Sequence, residues 1–84
     1  MSCQVLLKRS AEKELDALPA GVRERIAARL LALEDNPRPA GVTKLQGQEG
    51  YRLRVGDYRA LYTIDDKGQS VTIYAVGHQR EVYR

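Results

Sequence analysis

Residues 51–62, Tyr-Arg-Leu-Arg-Val-Gly-Asp-Tyr-Arg-Ala-Leu-Tyr, restrict the possible folds of this chain more than any other stretch. Side chains alternate in character on both sides of Gly56-Asp57, the period of a half-buried strand, and Gly-Asp suits a two-residue hairpin loop. With that loop Val55 pairs with Tyr58, Arg54 with Arg59 and Arg52 with Leu61. Tyr51, Leu53, Val55, Tyr58, Ala60 and Tyr62 then share an apolar face, and Arg52, Arg54 and Arg59 share the other. Like charges directly opposite one another weaken a strand pair, and folding does not ask for them. Three guanidinium groups on one sheet face therefore point to a bound anion, and phosphate is the anion their planar forks fit best.

The rest of the chain must cover the apolar face. Gln4 to Lys8 is a short apolar run that reads as a first strand. Ser10 can N-cap a helix with Glu12 and Glu14 in its first turn, and Ala11, Leu15 and Leu18 recur along one stripe. Leu18-Pro19-Ala20-Gly21 breaks that helix, and Pro19 opens a second. There Val22, Ile26, Leu30 and Leu33 repeat at helical spacing, widened by Ala27 and Leu31, until Asn36-Pro37-Arg38-Pro39 stops it. Arg23, Arg25 and Arg29 fall off the stripe, on the solvated side.

Ala40 to Gly50 is a polar loop, Asp65-Asp66-Lys67-Gly68 a turn, and Ser70 to Val76 a last strand. With Asp66-Lys67 or the wider four-residue span as the loop, Arg59 pairs with Tyr74 and Leu61 with Thr72. The core face then gains Ile64, Val71, Ile73 and Ala75, while Thr63, Ser70, Thr72, Tyr74 and His78 join the arginines. The expected architecture is α+β, a single domain over residues 1–84 in the order β-α-α-β-β-β. A small antiparallel sheet is covered on one face by the N-terminal helical hairpin.

Composition narrows the partners. The chain is 43% hydrophobic and 30% charged, which fits a folded domain, and a net charge of +3 is compatible with nucleic acid or an acidic protein partner without identifying either. Cys3 is the single cysteine, so no intrachain disulfide can form, and it reads as a small packed residue. No His/Cys/Asp/Glu set has metal-ligand spacing, Gly47, Gly50 and Gly56 match no phosphate loop, and no cofactor is expected. No apolar run reaches the length of a signal peptide or a membrane span, so the expectation is a cytoplasmic protein without a membrane partner.

Arg52, Arg54 and Arg59, with Lys44, His78, Arg80 and Tyr83, compose a phosphodiester site. A fixed cationic cluster stabilises the charge of a pentacoordinate transition state, and in RNA the 2′-hydroxyl beside the phosphate can serve as nucleophile. His78 is the one side chain that ordinarily titrates near neutrality; it is either the general base or acid, or a surface histidine at a strand end. Tyr83 either stacks on a splayed base or packs its ring on the sheet. Lys44 and Tyr74 are candidate RNA contacts.

These segments together resemble the RelE/ParE superfamily of toxins from bacterial type II toxin–antitoxin systems, and its RelE-type branch in particular. The resemblance rests on Leu15-x-x-Leu18-Pro19, Asn36-Pro37-Arg38-Pro39, Lys44-Leu45-x-Gly47, Tyr51 to Arg59, Val76-Gly77-His78 and Val82-Tyr83-Arg84. It implies a metal-independent endoribonuclease that cuts mRNA in the ribosomal A site by 2′-hydroxyl attack, giving a cyclic phosphate and inhibiting translation. Arg52 and Arg54 match the family's basic pair on one strand, Arg59 its arginine on the next, and Tyr83 its base-stacking tyrosine. The implied partners are the ribosome and an acidic, RelB-like antitoxin, with operator DNA reached only through the antitoxin complex.

Two departures bear on chemistry. The basic pair is often lysine in the family; arginine does not give up its proton, so here the pair serves as a charge clamp and leaves the base to His78 or another group. Gln79 stands where a further family arginine is usual, with Arg80 next to it as a substitute. Two other readings stay open: a ParE-like toxin that binds DNA gyrase without being a nuclease, and an inactive member that only binds its antitoxin.

Overall fold

The computed structural model describes residues 3–78. Strand β1 (Gln4–Leu7) leads directly into helix α1 (Arg9–Asp16), and helix α2 (Ala20–Leu31) runs on into a 3-10 turn at Ala32–Glu34. Four more elements follow: β2 (Thr43–Lys44), β3 (Tyr51–Val55), β4 (Tyr58–Asp65) and β5 (Ser70–His78). The sheet order is β1-β5-β4-β3-β2. The β2 to β5 pairs are antiparallel, and β1 lies parallel to β5, so the sheet is mixed rather than wholly antiparallel.

α1 opens at Lys8, not at Ser10, which sits inside its first turn. The Lys8 backbone N–H still donates to the Ile73 carbonyl of the neighbouring strand (2.9 Å), so the chain turns into the helix as soon as β1 leaves the sheet. Pro19 caps α2, where a missing N–H costs nothing. α1 lies against β5 and α2 against β3. Between helices and sheet sits one core: Ala11, Ile26, Leu30, Leu33, Leu53, Val55, Ala60, Tyr62, Val71, Ile73 and Val76. Leu31 does not join it; at 62% exposure it faces away from the stripe it was expected to widen.

The hairpin has the expected register, Val55 with Tyr58, Arg54 with Arg59 and Arg52 with Leu61. Gly56 takes φ +60° and Asp57 does not take a positive φ, the pattern of a type II′ turn with glycine first. The β4–β5 pairing departs from expectation in two ways. Asp65 pairs with Ser70, so the four-residue loop is 66–69 and not Asp65 to Gly68, and a bulge follows that leaves Tyr74 as the extra residue between the Tyr62–Ile73 and Leu61–Ala75 pairs. Arg59 therefore pairs with Gly77 and Leu61 with Ala75, not with Tyr74 and Thr72. Because a one-residue slip exchanges sheet faces, Val76 enters the core (2% exposed) in place of Ala75.

The bulge sits where β5 loses its neighbour. β1 pairs with Ser70 to Ile73 and then departs, so the outer edge of β5 beyond Ile73 needs another partner. Glu14 of α1 provides it: its Oε1 accepts from the Val76 N–H at 3.0 Å.

Candidate functional site

Arg54 and Arg59 stand directly opposite each other on β3 and β4, and Arg52 lies on the same face between its partners Thr43 and Leu61. Arg54 is exposed, whereas Arg52 and Arg59 are half-buried. The Arg54 Nε–H reaches the Gly56 carbonyl only at 3.4 Å, so this guanidinium is loosely held. Arg59's other neighbour is Gly77, which brings no side chain to crowd it. The floor beside the arginines is apolar, with Leu61 (5% exposed) paired to Ala75. Guanidinium groups over an apolar floor face fewer waters than in bulk, a setting that would strengthen the hold on any anion bound there.

Tyr74 also lies on this face, since the bulge places it and Ala75 together opposite the core. Its hydroxyl comes within 3.3 Å of the point where a Cβ on Gly50 would lie, so the side chain spans β4 to the start of β3. Burial raises its pKa.

Lys44 does not lie in a loop. It forms the short edge strand β2 with Thr43 and pairs with Tyr51, which assigns it to the opposite sheet face from Arg52. At this exposed edge it nonetheless lines, with Thr43, Leu45, Gln46, Gln48 and Arg52, a depression of about 390 Å³. The depression continues the arginine face past Arg52.

His78 is not beside the arginines. It pairs with Tyr58 and sets its ring edge-on to the Tyr58 ring (centroids 5.6 Å apart), on the helix-covered face. The parity that joined it to Arg52, Arg54 and Arg59 holds only up to the bulge. Arg80 and Tyr83 lie outside the described residues. Among those residues no cluster of three or more His, Cys, Asp or Glu could hold a metal ion, and no helix is long and apolar enough to cross a membrane.

A clamp that sequence reasoning did not find supports the start of β3. Arg38 donates from Nε to the Tyr51 hydroxyl (3.1 Å) and from both terminal nitrogens to the Asp66 carboxylate (3.2 and 3.1 Å). Its guanidinium also lies over the Tyr51 ring, 5.4 Å from the centroid. The bond to Arg38 holds the Asp66 carboxyl below the usual carboxylate range. The clamp joins residues 38, 51 and 66, and only the Asn36-Pro37-Arg38-Pro39 stop signal marked one end of it in advance.

A sheet face carrying three arginines opposite a helical hairpin defines a small α+β class that comparison with known proteins identifies. A family model described as the ParE toxin of the type II toxin–antitoxin system parDE matches residues 5–83. The chain belongs to this family, within the RelE/ParE superfamily, and is a toxin of a type II toxin–antitoxin system. Among solved structures it is similar to the toxin–antitoxin complex RelBE2 from Mycobacterium tuberculosis, at 26% identity and TM-score 0.83, over 94% of this chain and 100% of that one. It is also similar to the archaeal RelE–RelB complex from Pyrococcus horikoshii, at 29% identity and TM-score 0.83, over 94% and 97%. A mutant Escherichia coli RelE toxin in complex with a RelBc antitoxin peptide matches at 30% identity and TM-score 0.77, over 99% and 92%. No curated protein matches.

Proposed function

We propose that this toxin is of the RelE type: a metal-independent endoribonuclease that cleaves mRNA, at the ribosome, and so inhibits translation. The observation that carries the reading is the direct opposition of Arg54 and Arg59, with Arg52 beside them, on the face the core does not use. A toxin acting only by protein contact has no use for like charges set directly opposite each other. The solved relatives in complex with RelB or its peptide support a RelB-like, acidic antitoxin as the partner, which suits a net charge of +3.

In this reaction the substrate's 2′-oxygen bonds to the adjacent phosphorus, the bond to the 5′-oxygen breaks, and the products are a 2′,3′-cyclic phosphate and a 5′-hydroxyl. Water takes the proton that the 2′-hydroxyl loses, and water supplies the one that the departing 5′-oxygen gains. Arg52, Arg54 and Arg59 clamp the phosphate and hold the charge that grows on its oxygens. None of the three can accept the 2′-hydroxyl proton, and His78 lies across the sheet from them. Rate enhancement on this face therefore comes from positioning and charge stabilisation, not from a histidine base. Tyr83 and Arg80 are proposed as the base-stacking and supporting cationic groups, and Tyr74 as an RNA contact.

The test is induced expression without antitoxin, followed by mapping of mRNA ends on translated and untranslated messages. The expected result is codon-registered cuts on translated mRNA only. Arg59→Ala should lower cleavage by about 10²–10³-fold, as losing one transition-state charge donor does, with folding intact. His78→Gln should stay within about threefold of the parent, far short of the ~10²-fold or more expected of a lost general base. Growth arrest with intact mRNA would replace this reading with the gyrase-directed one, which the ParE description of the matching family keeps as the second reading. No arrest at all would leave the inactive one.

A further inference from the structure

The depression beyond Arg52 has a chemistry the phosphate clamp does not require. Its lining offers two primary amides, Gln46 and Gln48, a threonine hydroxyl, Thr43, and two cations, Lys44 and Arg52, around Leu45. Each glutamine presents a donor and an acceptor side by side, the pairing pattern of a nucleobase edge, and leucine gives a base an apolar surface to lie on. A volume of about 390 Å³ falls in the usual range of small-ligand sites, roughly 300–1,000 Å³. Glu49, the carboxylate of the same loop, is not among the lining residues.

The loop that carries the amides is held at its base. The Leu45 N–H donates to the Gly50 carbonyl at 3.0 Å and closes Gln46-Gly47-Gln48-Glu49 into a tight turn, with Gly47 at φ +75°. Gly50 takes φ +129°, and a Cβ there would lie 3.1 Å from the Tyr62 carbonyl oxygen and 3.3 Å from the Tyr74 hydroxyl. The loop thus packs against β4 at Tyr62 and against β5 through Tyr74.

We infer that the β2–β3 depression is a nucleobase-reading subsite, in which Gln46 and Gln48 select one base flanking the cut while Lys44 and Arg52 hold its phosphates. The inference rests on the proposed action on RNA and deepens it: the arginine face supplies clamping that ignores sequence, and the loop supplies preference. Arg52 borders both regions and sets the spacing between the read base and the clamped phosphate.

The test uses 2′-O-methyl-RNA trinucleotides of each of the four bases, which cannot be cleaved because the 2′-oxygen is blocked. They are titrated into the isotope-labelled full chain and followed by NMR. The Gln46 and Gln48 side-chain amide signals should shift saturably. The preferred base should bind about fivefold or more tightly than the weakest, the low end of discrimination by an amide–base pairing. In the Gln46→Ala/Gln48→Ala double variant that ratio should fall below about twofold while the Arg54 Nε–H signal still responds. Arginine signals that move while the glutamine amides stay still would overturn the subsite and leave the arginine clamp standing. An unchanged base ratio in the double variant would overturn it as well. Glutamine shifts with a base preference, in a toxin that cuts no mRNA in cells, would uphold the subsite and remove the nuclease. Silence at both sets of signals would overturn both.

Discussion

Tyr62 joins the core and the chain's surface loop in one side chain. Its ring is fully buried and stacks on Tyr51 with centroids 5.7 Å apart, and its hydroxyl donates to the Pro37 carbonyl at 2.8 Å. Burial, and then the nearby Tyr51, push its pKa up from 10.0 to about 12. Because the folded value is the higher one, the stabilisation is complete below pH 10.0 and is lost as pH rises toward 12, where the unfolded chain ionises first. Tyr62→Phe should cost about 1 kcal/mol at neutral pH, or roughly 4–8 °C in Tm for a domain of this size. Thermal melts of the two proteins should differ by a constant amount below pH 10.0, and the parent's advantage should vanish and then reverse within the window up to about 12. A difference that persists unchanged to the alkaline end would show that the hydroxyl's burial is not what the stability reads. Tyr62 was legible in the sequence as a core residue from its parity in the hairpin. Its bond to Pro37, 25 residues back in the chain, was not.

At the scale of the element, β5 shows how strand errors propagate. Centring the β4–β5 loop one residue too early displaces the pairing by two residues, which preserves parity, and Val71 and Ile73 are buried as expected. The bulge displaces it by one more, and every residue after Tyr74 changes face. That single step takes His78 from the arginines to Tyr58 and brings Val76 inward. Glu14, placed by α1 over the unpartnered stretch of β5, accepts the Val76 N–H and so helps to hold the bulged register. Glu14→Ala should cost about 1–3 kcal/mol by leaving a part-buried amide without its acceptor, while Glu14→Gln should recover most of it. Urea denaturation measures the loss, and hydrogen exchange at the Val76 amide localises it. Exchange that stays as slow in Glu14→Ala as in the parent would mean that another group holds the bulge.

For the whole molecule, the core and the proposed RNA clamp sit on opposite faces of one sheet. The core lies between the sheet and the two helices, and the arginines lie on the other side, where Arg54 faces Arg59 across a strand pair. A cross-strand pair contributes about 0.2–1 kcal/mol when matched and opposes folding when like-charged. Arg54→Thr should therefore raise Tm by a few degrees, threonine being a good strand residue, while lowering RNA cleavage by an order of magnitude or more. Calorimetry beside end-mapping tests both halves. A variant that melts earlier than the parent would mean that Arg54 serves the fold, and the case for an anion as the reason for the cluster would fail.

Read by itself, the chain determined whatever depends on neighbours in sequence: the helix stripes of Ala11 and Leu15 and of Ile26, Leu30 and Leu33, the Gly56-Asp57 turn, and the β3–β4 register that gathers Arg52, Arg54 and Arg59. These follow from side-chain period and turn chemistry, which act over a few residues. Tertiary structure alone decided that β1 lies parallel to β5, that Thr43 and Lys44 extend the sheet edge, and that His78 faces the helices. The physical reason is distance along the chain: the Glu14–Val76 bond at the bulge spans 62 residues, and no local period carries a contact that only the folded layers bring together.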